Sequence, residues 1–436
     1  MVVSQVVATQ AAVTVTNLAA GFYHSLAIKS DGSLWAMGNN SDGELGIGTF
    51  SNTNRPVLVA SSNVTAAAAG FYHTMFLKVD GSLWGMGYDF YGQLGDGRTL
   101  VTTNLPEQIM PNNVTAIACG HQHSLFRKSD GSLWAMGYNA FGQLGDGTLN
   151  NQSNPVQVVA NNVIAIAGGG ACSFFTKTGG SLWAVGQNTS GQLGNGTTTT
   201  TNNPQLIVAS GVTTVAAGNF HSLFLKSDGS LWAVGQNSSG QLGIGSSIST
   251  NSPQQIVASN VVAIAAGDSH SVFVKSDGSL WGMGSGTSGQ LGPPVITSTN
   301  VPVQITNSVT AVVARGNHTA FLRADGSFWV MGDNQNSALG DGFTGSTRTL
   351  EQVIPSPQPL LLATNSSVTN VLLTARALFG GTYQLLASTN PVTPPNQWVS
   401  LRTNIITIRS STNFSATLTN ELGTGVAQRF FRLMAQ

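Results

Sequence analysis

Along the first 350 or so residues, short apolar runs alternate with clusters of Gly, Ser, Thr, Asn and Asp, and nothing sustains a 3.6-residue period. The stretch after residue 113 is representative: "VTAIACG", "HSLFRKS" and "SLWAMG" follow one another, and "VQVV"-type runs lie between successive groups of this kind. Each run predicts a strand. Between the last two lies "SDGS", where Asp130-Gly131 predicts a two-residue type I′ hairpin with positive φ at both positions.

The pattern recurs. Trp35, Trp84, Trp134, Trp183, Trp232, Trp281 and Trp329 are spaced 49, 50, 49, 49, 49 and 48 residues apart. Eleven residues before each stands His24, His73, His123, Cys172, His221, His270 or His318. Six before it is Lys29, Lys78, Lys128, Lys177, Lys226, Lys275 or Arg323. Four before it is Asp, except at Gly179 in the fourth copy. Self-similarity at such a period marks a repeat architecture in which each copy is one supersecondary unit. Four antiparallel strands per copy make a propeller blade, and seven blades lie within the usual range. The "QVV" run occurs once more than the rest, as "SQVVA" (4–8) and "LEQVI" (350–354). This surplus predicts a closed ring in which one terminal copy crosses over to complete the blade begun at the other end.

The repeat "AAGxxHSLxLKSDGSLWxxGxNxxGQLGxG" resembles the regulator-of-chromosome-condensation repeat family, in its bacterial type, over residues 4 to about 355. The resemblance implies a seven-bladed β-propeller. Family members include a nucleotide-exchange factor acting on chromatin, a plant ultraviolet-B photoreceptor and secreted bacterial inhibitors of β-lactamase. Fold therefore does not select function. The photoreceptor's Trp-Arg pair before His is replaced here by Phe22-Tyr23 and Phe71-Tyr72.

The expected class is all-β, with the propeller over 1–354 and a stiff linker over 355–360 marked by Pro355, Pro357 and Pro359. Short strand-like runs after it predict a small β-sandwich over 361–436. Five arginines there (Arg376, Arg402, Arg409, Arg429, Arg432) face one acid, Glu421, which leaves the propeller net acidic.

Charged residues make up 8% of the chain, and 17 basic balance 17 acidic. No basic stripe suits nucleic acid, and no apolar run reaches the ~18 residues of a membrane-spanning helix. No intact signal peptide is evident at the N-terminus, where Lys29 is the first positive charge. The neutral polar segments between strands suit an extracellular or cell-surface protein. Cys119 and Cys172 have no metal-like spacing, and a disulfide between them is not expected.

Six histidines at one repeat position, with Cys172 in the fourth copy, read as groups satisfying the same slot in every blade, not as metal ligands. The tryptophans read as inter-blade core, and each Lys/Asp pair of "KSDG" as decoration of an exposed hairpin. No nucleophile elbow, phosphate loop or His-Glu-x-x-His motif is present, so neither catalysis nor a cofactor is expected.

Residues that differ between copies point to binding. The "GxxH" turn, the "xNxx" loop and the long variable connection share one face of the disc; the uniform "NN" and "SDG" turns share the other. On the variable face the first three copies present Phe22, Tyr23, Phe71, Tyr72, Tyr88, Phe90, Tyr91, Tyr138 and Phe141. His121, Asp89, Asp42 and Glu44 lie beside them. The later copies hold mainly Ser, Thr, Asn, Gln and Gly there, apart from Phe220. Aromatic residues are enriched at interface hot spots. The expectation is a monomeric, non-enzymatic scaffold gripping a protein, or else a glycan, and in its sharper form inhibiting a secreted enzyme. The alternatives are an exchange factor or chromatin adaptor, for which a basic tail and an acidic wedge are missing, and a carbohydrate-active or other enzyme.

Overall fold

The computed structural model describes residues 13–293 and 297–354, together with the backbone of seven short strands between Leu362 and Ala435. Val15–Ile354 forms one compact unit. Its first sheet comprises β1 (Val15–Ala20), β2 (His24–Lys29), β3 (Leu34–Gly38) and β4 (Thr53–Ala60), antiparallel and in that order. The same order recurs in six further four-stranded sheets, the last ending with Thr347–Ile354. The chain is thus an all-β, seven-bladed propeller.

The blades are phased one strand away from the sequence expectation. The "QVV" run closes its blade: Gln152–Val159 pairs with Leu133–Gly137 of the same repeat. The turn written Asn-Asn or Ser-Asn therefore links blades, and its second residue takes a positive φ, as at Asn63, Asn113, Asn162 and Asn260. Asparagine tolerates that conformation better than most residues. The terminal "LEQVI" completes the seventh blade against Phe328–Gly332 from its own repeat. All seven blades are contiguous in sequence, so no strand needs to cross over; the "SQVVA" segment lies outside the described residues.

The ring closes by packing. Val15, Leu18, Ala27 and Met37 of the first blade share a core with Ala320, Leu322, Phe328 and Leu339 of the seventh. The first and second blades are joined the same way, by Leu26, Ile28 and Leu34 against Val64, Phe76 and Met86. Asn54 Nδ2 donates to Gly342 O at 2.8 Å and Gly342 N donates to Asn54 O at 2.7 Å across the closing seam.

The histidines form the inner belt. His24 Nε2 meets Thr74 Oγ1 of the next blade at 2.8 Å, His73 meets Ser124 at 2.9 Å, and His123 meets Ser173 at 2.9 Å. His221 and His270 continue to Ser271 and Thr319, and His318 returns to Ser25. The Thr74, Ser124 and Ser173 hydroxyls donate to the Glu44, Gln93 and Gln143 carbonyls. Each such hydroxyl must therefore accept from a neutral imidazole protonated on Nε2. Burial pushes the pKa of His24, His73, His123 and His270 down to about 3. Cys172 stands in the belt position of the fourth blade, where the link is missing. Both cysteines are free, buried thiols, and burial pushes each up to about 12.

The hairpins also differ from expectation. Gly131 N donates to Lys128 O at 3.0 Å, and only Gly131, not Asp130, has positive φ (78°). That is a three-residue loop with a glycine bulge rather than a type I′ turn. Asp130 Oδ1 accepts from Ser132 N and Oγ, and Trp134 Nε1 donates to Ser132 Oγ at 2.9 Å. Lys128 Nζ sits 4.0 Å above the Trp134 ring. The Lys-Ser-Asp-Gly-Ser-x-Trp string is thus one device, in which lysine covers a half-buried indole and aspartate fixes the serine beneath it. These tryptophans flank the inter-blade core instead of forming its centre; Trp84 stacks on Phe76 of its own blade at 6.2 Å.

Beyond the propeller, Leu362–Asn365, Asn370–Arg376 and Asn413–Thr419 form one antiparallel sheet. Thr382–Ser388 is the centre of a second, pairing with Val399–Ser400, Ile406–Thr407 and Phe430–Ala435. The proline-marked linker lies outside the described residues.

Candidate interaction face

In five of the seven blades the third strand leads into a loop built on a buried amide. Asn139 Oδ1 accepts from Leu144 N at 3.0 Å, and its Nδ2 donates to Thr148 O at 3.2 Å. Asn40, Asn188, Asn237 and Asn334 repeat both contacts. Gln143 Oε1 accepts from Phe141 N, and Gln93, Gln192, Gln241 and Gln290 do likewise in their own blades. The loops therefore share one skeleton, and the side chains between its staples are free to vary.

Two carboxylates replace staples. Asp89 occupies the Asn position; it is fully buried, and its Oδ1 accepts from Leu94 N at 2.8 Å. It is part of the loop's interior, contrary to its expected place on the surface. Desolvation raises its pKa to about 7, and its Oδ2 is buried without a hydrogen-bond partner, where Asn139 Nδ2 donates to Asp146 Oδ1 in the next blade. Glu44 occupies the Gln position, also fully buried, with Asp42 N donating to Oε2 at 3.0 Å and Asn39 Nδ2 donating to Oε1. Desolvation raises it to about 7 as well.

The aromatic residues on these loops touch in one unbroken chain. Phe22 stacks on Phe71 at 4.1 Å, and His121 meets both edge-on at 5.6 and 5.2 Å. Tyr23 lies 5.7 Å from Tyr72, which lies 6.1 Å from Tyr88. Tyr88 stacks on Phe90 at 5.5 Å and meets Tyr91 edge-on. Tyr91 lies 4.8 Å from Tyr138, and Tyr138 6.2 Å from Phe141. All ten rings are joined. Phe90 is 43% exposed and the other nine are half-buried. Desolvation raises the pKa of Tyr23, Tyr72 and Tyr88, with nearby carboxylates Asp42, Asp268 and Asp333 adding to the shift in one or more of them.

The axial channel is lined by small apolar side chains of the innermost strands, among them Ala19, Ala68, Ala118, Ala167, Ala216 and Ala265. Arg315 departs from that pattern. It occupies the place held by glycine before the "xxH" of the other six blades (Gly21, Gly70, Gly120, Gly169, Gly218, Gly267). A side chain there runs into the belt: a Cβ on Gly21 would lie 2.6 Å from His24 Nδ1. Arg315 instead crosses the channel, donating from NH1 to Gly168 O at 2.9 Å and from NH2 to Gly169 O at 3.3 Å. The fourth blade's "GGGA" provides the room. Sequence reasoning missed this strut, because Gly316 directly after it resembles the repeat glycine that Arg315 displaces. Asp268 was missed too, although it is the only carboxylate among the residues directly after the repeat glycine. Among the described residues no group of His, Cys, Asp and Glu could hold a metal ion.

The RCC1-like domain profile matches residues 2–211. Profiles of the regulator of chromosome condensation (RCC1) repeat match 212–241, 228–274, 261–290 and 277–322. Together they span about three quarters of the chain. The propeller belongs to the RCC1 repeat family. Its fold is similar to that of human WBSCR16, at 21% identity and TM-score 0.67 over 74% of this chain and 94% of that one. It is equally similar to Prp20p of Saccharomyces cerevisiae, at 21% identity and TM-score 0.68 over 78% and 90%. No curated protein sequence matches the chain. At such identity these RCC1-fold structures bear on architecture alone.

Proposed function

We propose that this RCC1-family propeller is a non-enzymatic scaffold that docks a partner protein on the loop face of its first three blades. The observation that carries the proposal is the chain of ten touching rings, half-buried or exposed, on one sector of the rim, whose other loops carry only scattered apolar residues such as Phe220, Ile248 and Phe343. Rings packed against one another are pre-ordered, so a partner covers large apolar area at small entropic cost. Two structures of RCC1 relatives lend support: Prp20p is described with binding properties to Gsp1p and histones, and yeast RCC1 (Prp20) was solved bound to Kap60. Those partners are theirs. Here the neutral polar surface favours an exported protein, and inhibition of a secreted enzyme is the sharper form of the reading. A glycan is the second candidate, favoured by the exposed Phe90 ring, which the parallel Tyr88 ring backs and holds in place.

Alanine at Tyr72, Tyr88 and Tyr91 together tests the proposal. Partner capture is abolished while the melting temperature stays within a few degrees. Capture that survives, or a chain that unfolds, refutes it, because the rings are then either idle or core.

A further inference from the structure

The six lysines of the chain all lie at the hairpin end of the disc, each over a tryptophan. The loop end has the opposite character. Asp42, Asp96, Asp146, Asp268, Asp333 and Asp341 lie there, with Arg55, Arg98 and Arg315 as cations. Arg98 is taken up by Asp96 and Glu107, and Arg315 is buried against the carbonyls of the fourth blade.

Asp268 is the exceptional acid of this group. Asp96, Asp146 and Asp341 hold loop backbone in place, and Asp333 Oδ1 accepts from Gln335 N and Ser346 Oγ. Asp268 Oδ1 is buried with no hydrogen-bond partner, and no cation lies within ion-pair distance among the described residues, the buried Arg315 guanidinium acting on it from beyond that distance. A buried carboxylate oxygen without a partner is costly and calls for an explanation.

Its position suggests one. The residues directly after the repeat glycine ring the mouth of the channel: Phe22, Phe71, His121, Gly170, Asn219 and Asp268, with Gly316 as the seventh. Asp268 N donates to Gly316 O at 2.8 Å, and Gly316 packs so closely on Phe22 that a Cβ there would lie 2.7 Å from the Phe22 carbonyl oxygen. Because the intervening residue is glycine, no side chain separates the carboxylate from the Phe22 end of the aromatic chain. The Asp268 carboxylate acts electrostatically on Tyr23, whose ring meets Phe22 and Phe71 edge-on. An acid next to aromatic faces is the chemistry that receives a cation carried on an apolar stem.

We infer that the axial end of the aromatic cluster receives a lysine or arginine side chain of the partner protein, its charged head on Asp268 and its stem along Phe22, Tyr23 and Phe71. This rests on the docking face proposed above and names the chemistry of its anchor. The acidic loop end steers a basic segment toward the mouth, so association weakens as salt rises.

The test uses the full chain and two fluorescein-labelled dodecapeptides, one alternating arginine with serine and the other glutamate with serine. The arginine peptide binds at low salt. Asp268→Asn, which preserves shape, weakens it at least about tenfold, equivalent to about 1.4 kcal/mol, and Phe71→Leu weakens it as well. Glu107→Gln, on an outer strand, leaves binding within about twofold, which separates a local site from diffuse attraction. Unchanged affinity in Asp268→Asn overturns the inference, as does tighter binding of the glutamate peptide, which would point to Arg315. Binding of chito-oligosaccharide in place of the arginine peptide overturns it also. The two proposals fail differently. If the triple tyrosine variant loses partner capture while Asp268→Asn is neutral, the docking face stands and the cation anchor falls. If Asp268→Asn weakens the peptide while the triple variant still captures partners, the docking face falls.

Discussion

Glu44 offers a sharp test of how the loops are built. Five other blades place glutamine where the first places this acid, and the surroundings bury it completely. Its pKa rises from 4.5 to about 7, desolvation outweighing the hydrogen bonds from Asn39, Asp42 N and its own backbone. A carboxyl whose folded pKa lies above its unfolded value stabilises fully below the unfolded pKa and loses that contribution as pH rises through the folded one. Each unit is worth about 1.4 kcal/mol, so about 3 kcal/mol disappears between pH 4.5 and 7. For the 340 residues of Val15–Ile354, an unfolding entropy of about 2.1 cal/mol/K per residue converts this into about 4 °C. Glu44→Gln restores the common staple, with Oε1 accepting from Asp42 N as Gln93 accepts from Tyr91 N. The variant therefore melts about 4 °C above the wild type at pH 8 and level with it near pH 4.5 in a calorimetric series. Asp89, which titrates in the same range, is present in both proteins and cancels in the difference. A gain equal at both pH values, or a loss at pH 8, would refute the reasoning by showing that the Asn39 and Asp42 donors hold Glu44 ionised.

Two further predictions concern the ring. Ser124→Ala strands the His73 Nε2–H and the Gln93 carbonyl together, costing about 2–4 kcal/mol in chemical denaturation, whereas Cys172→His, which supplies the missing belt donor, leaves stability within about 1 kcal/mol; equal losses in both would show that the belt is incidental to stability. Arg315→Ala takes the donors from the Gly168 and Gly169 carbonyls and lowers stability by about 2 kcal/mol, while a rise would mean that burying the guanidinium costs more than its two bonds return.

The strands and the period were legible because each blade must bury the same faces, so seven copies restate one alternation. Blade phase was not. The run ending at Val159 and the run starting at Val163 are neighbours in sequence, yet they belong to different sheets; adjacency along the chain does not say where a blade ends. Lys128, Asp130, Ser132 and Trp134 recur together, and their co-occurrence already held the stacked-lysine device, which was mistaken for surface decoration. Arg315 was hidden by an offset of one residue, since Gly316 looks like the glycine it displaces. The aromatic sector could be found by comparing columns of the repeat, but columns do not distinguish a ring facing outward from an acid folded under its loop. Asp89 shows the difference.

The central claim is that the rim is functionally lopsided, and sevenfold symmetry provides its own control. A photo-crosslinking side chain placed at Phe90 occupies the loop position that Ser238 fills in the fifth blade, and both sites are exposed. A third copy at Asp80 marks the hairpin face. The account predicts a covalent adduct with the captured partner from position 90 and none from 238 or 80. Adducts of equal yield from 90 and 238, or adducts from 80 alone, would contradict it.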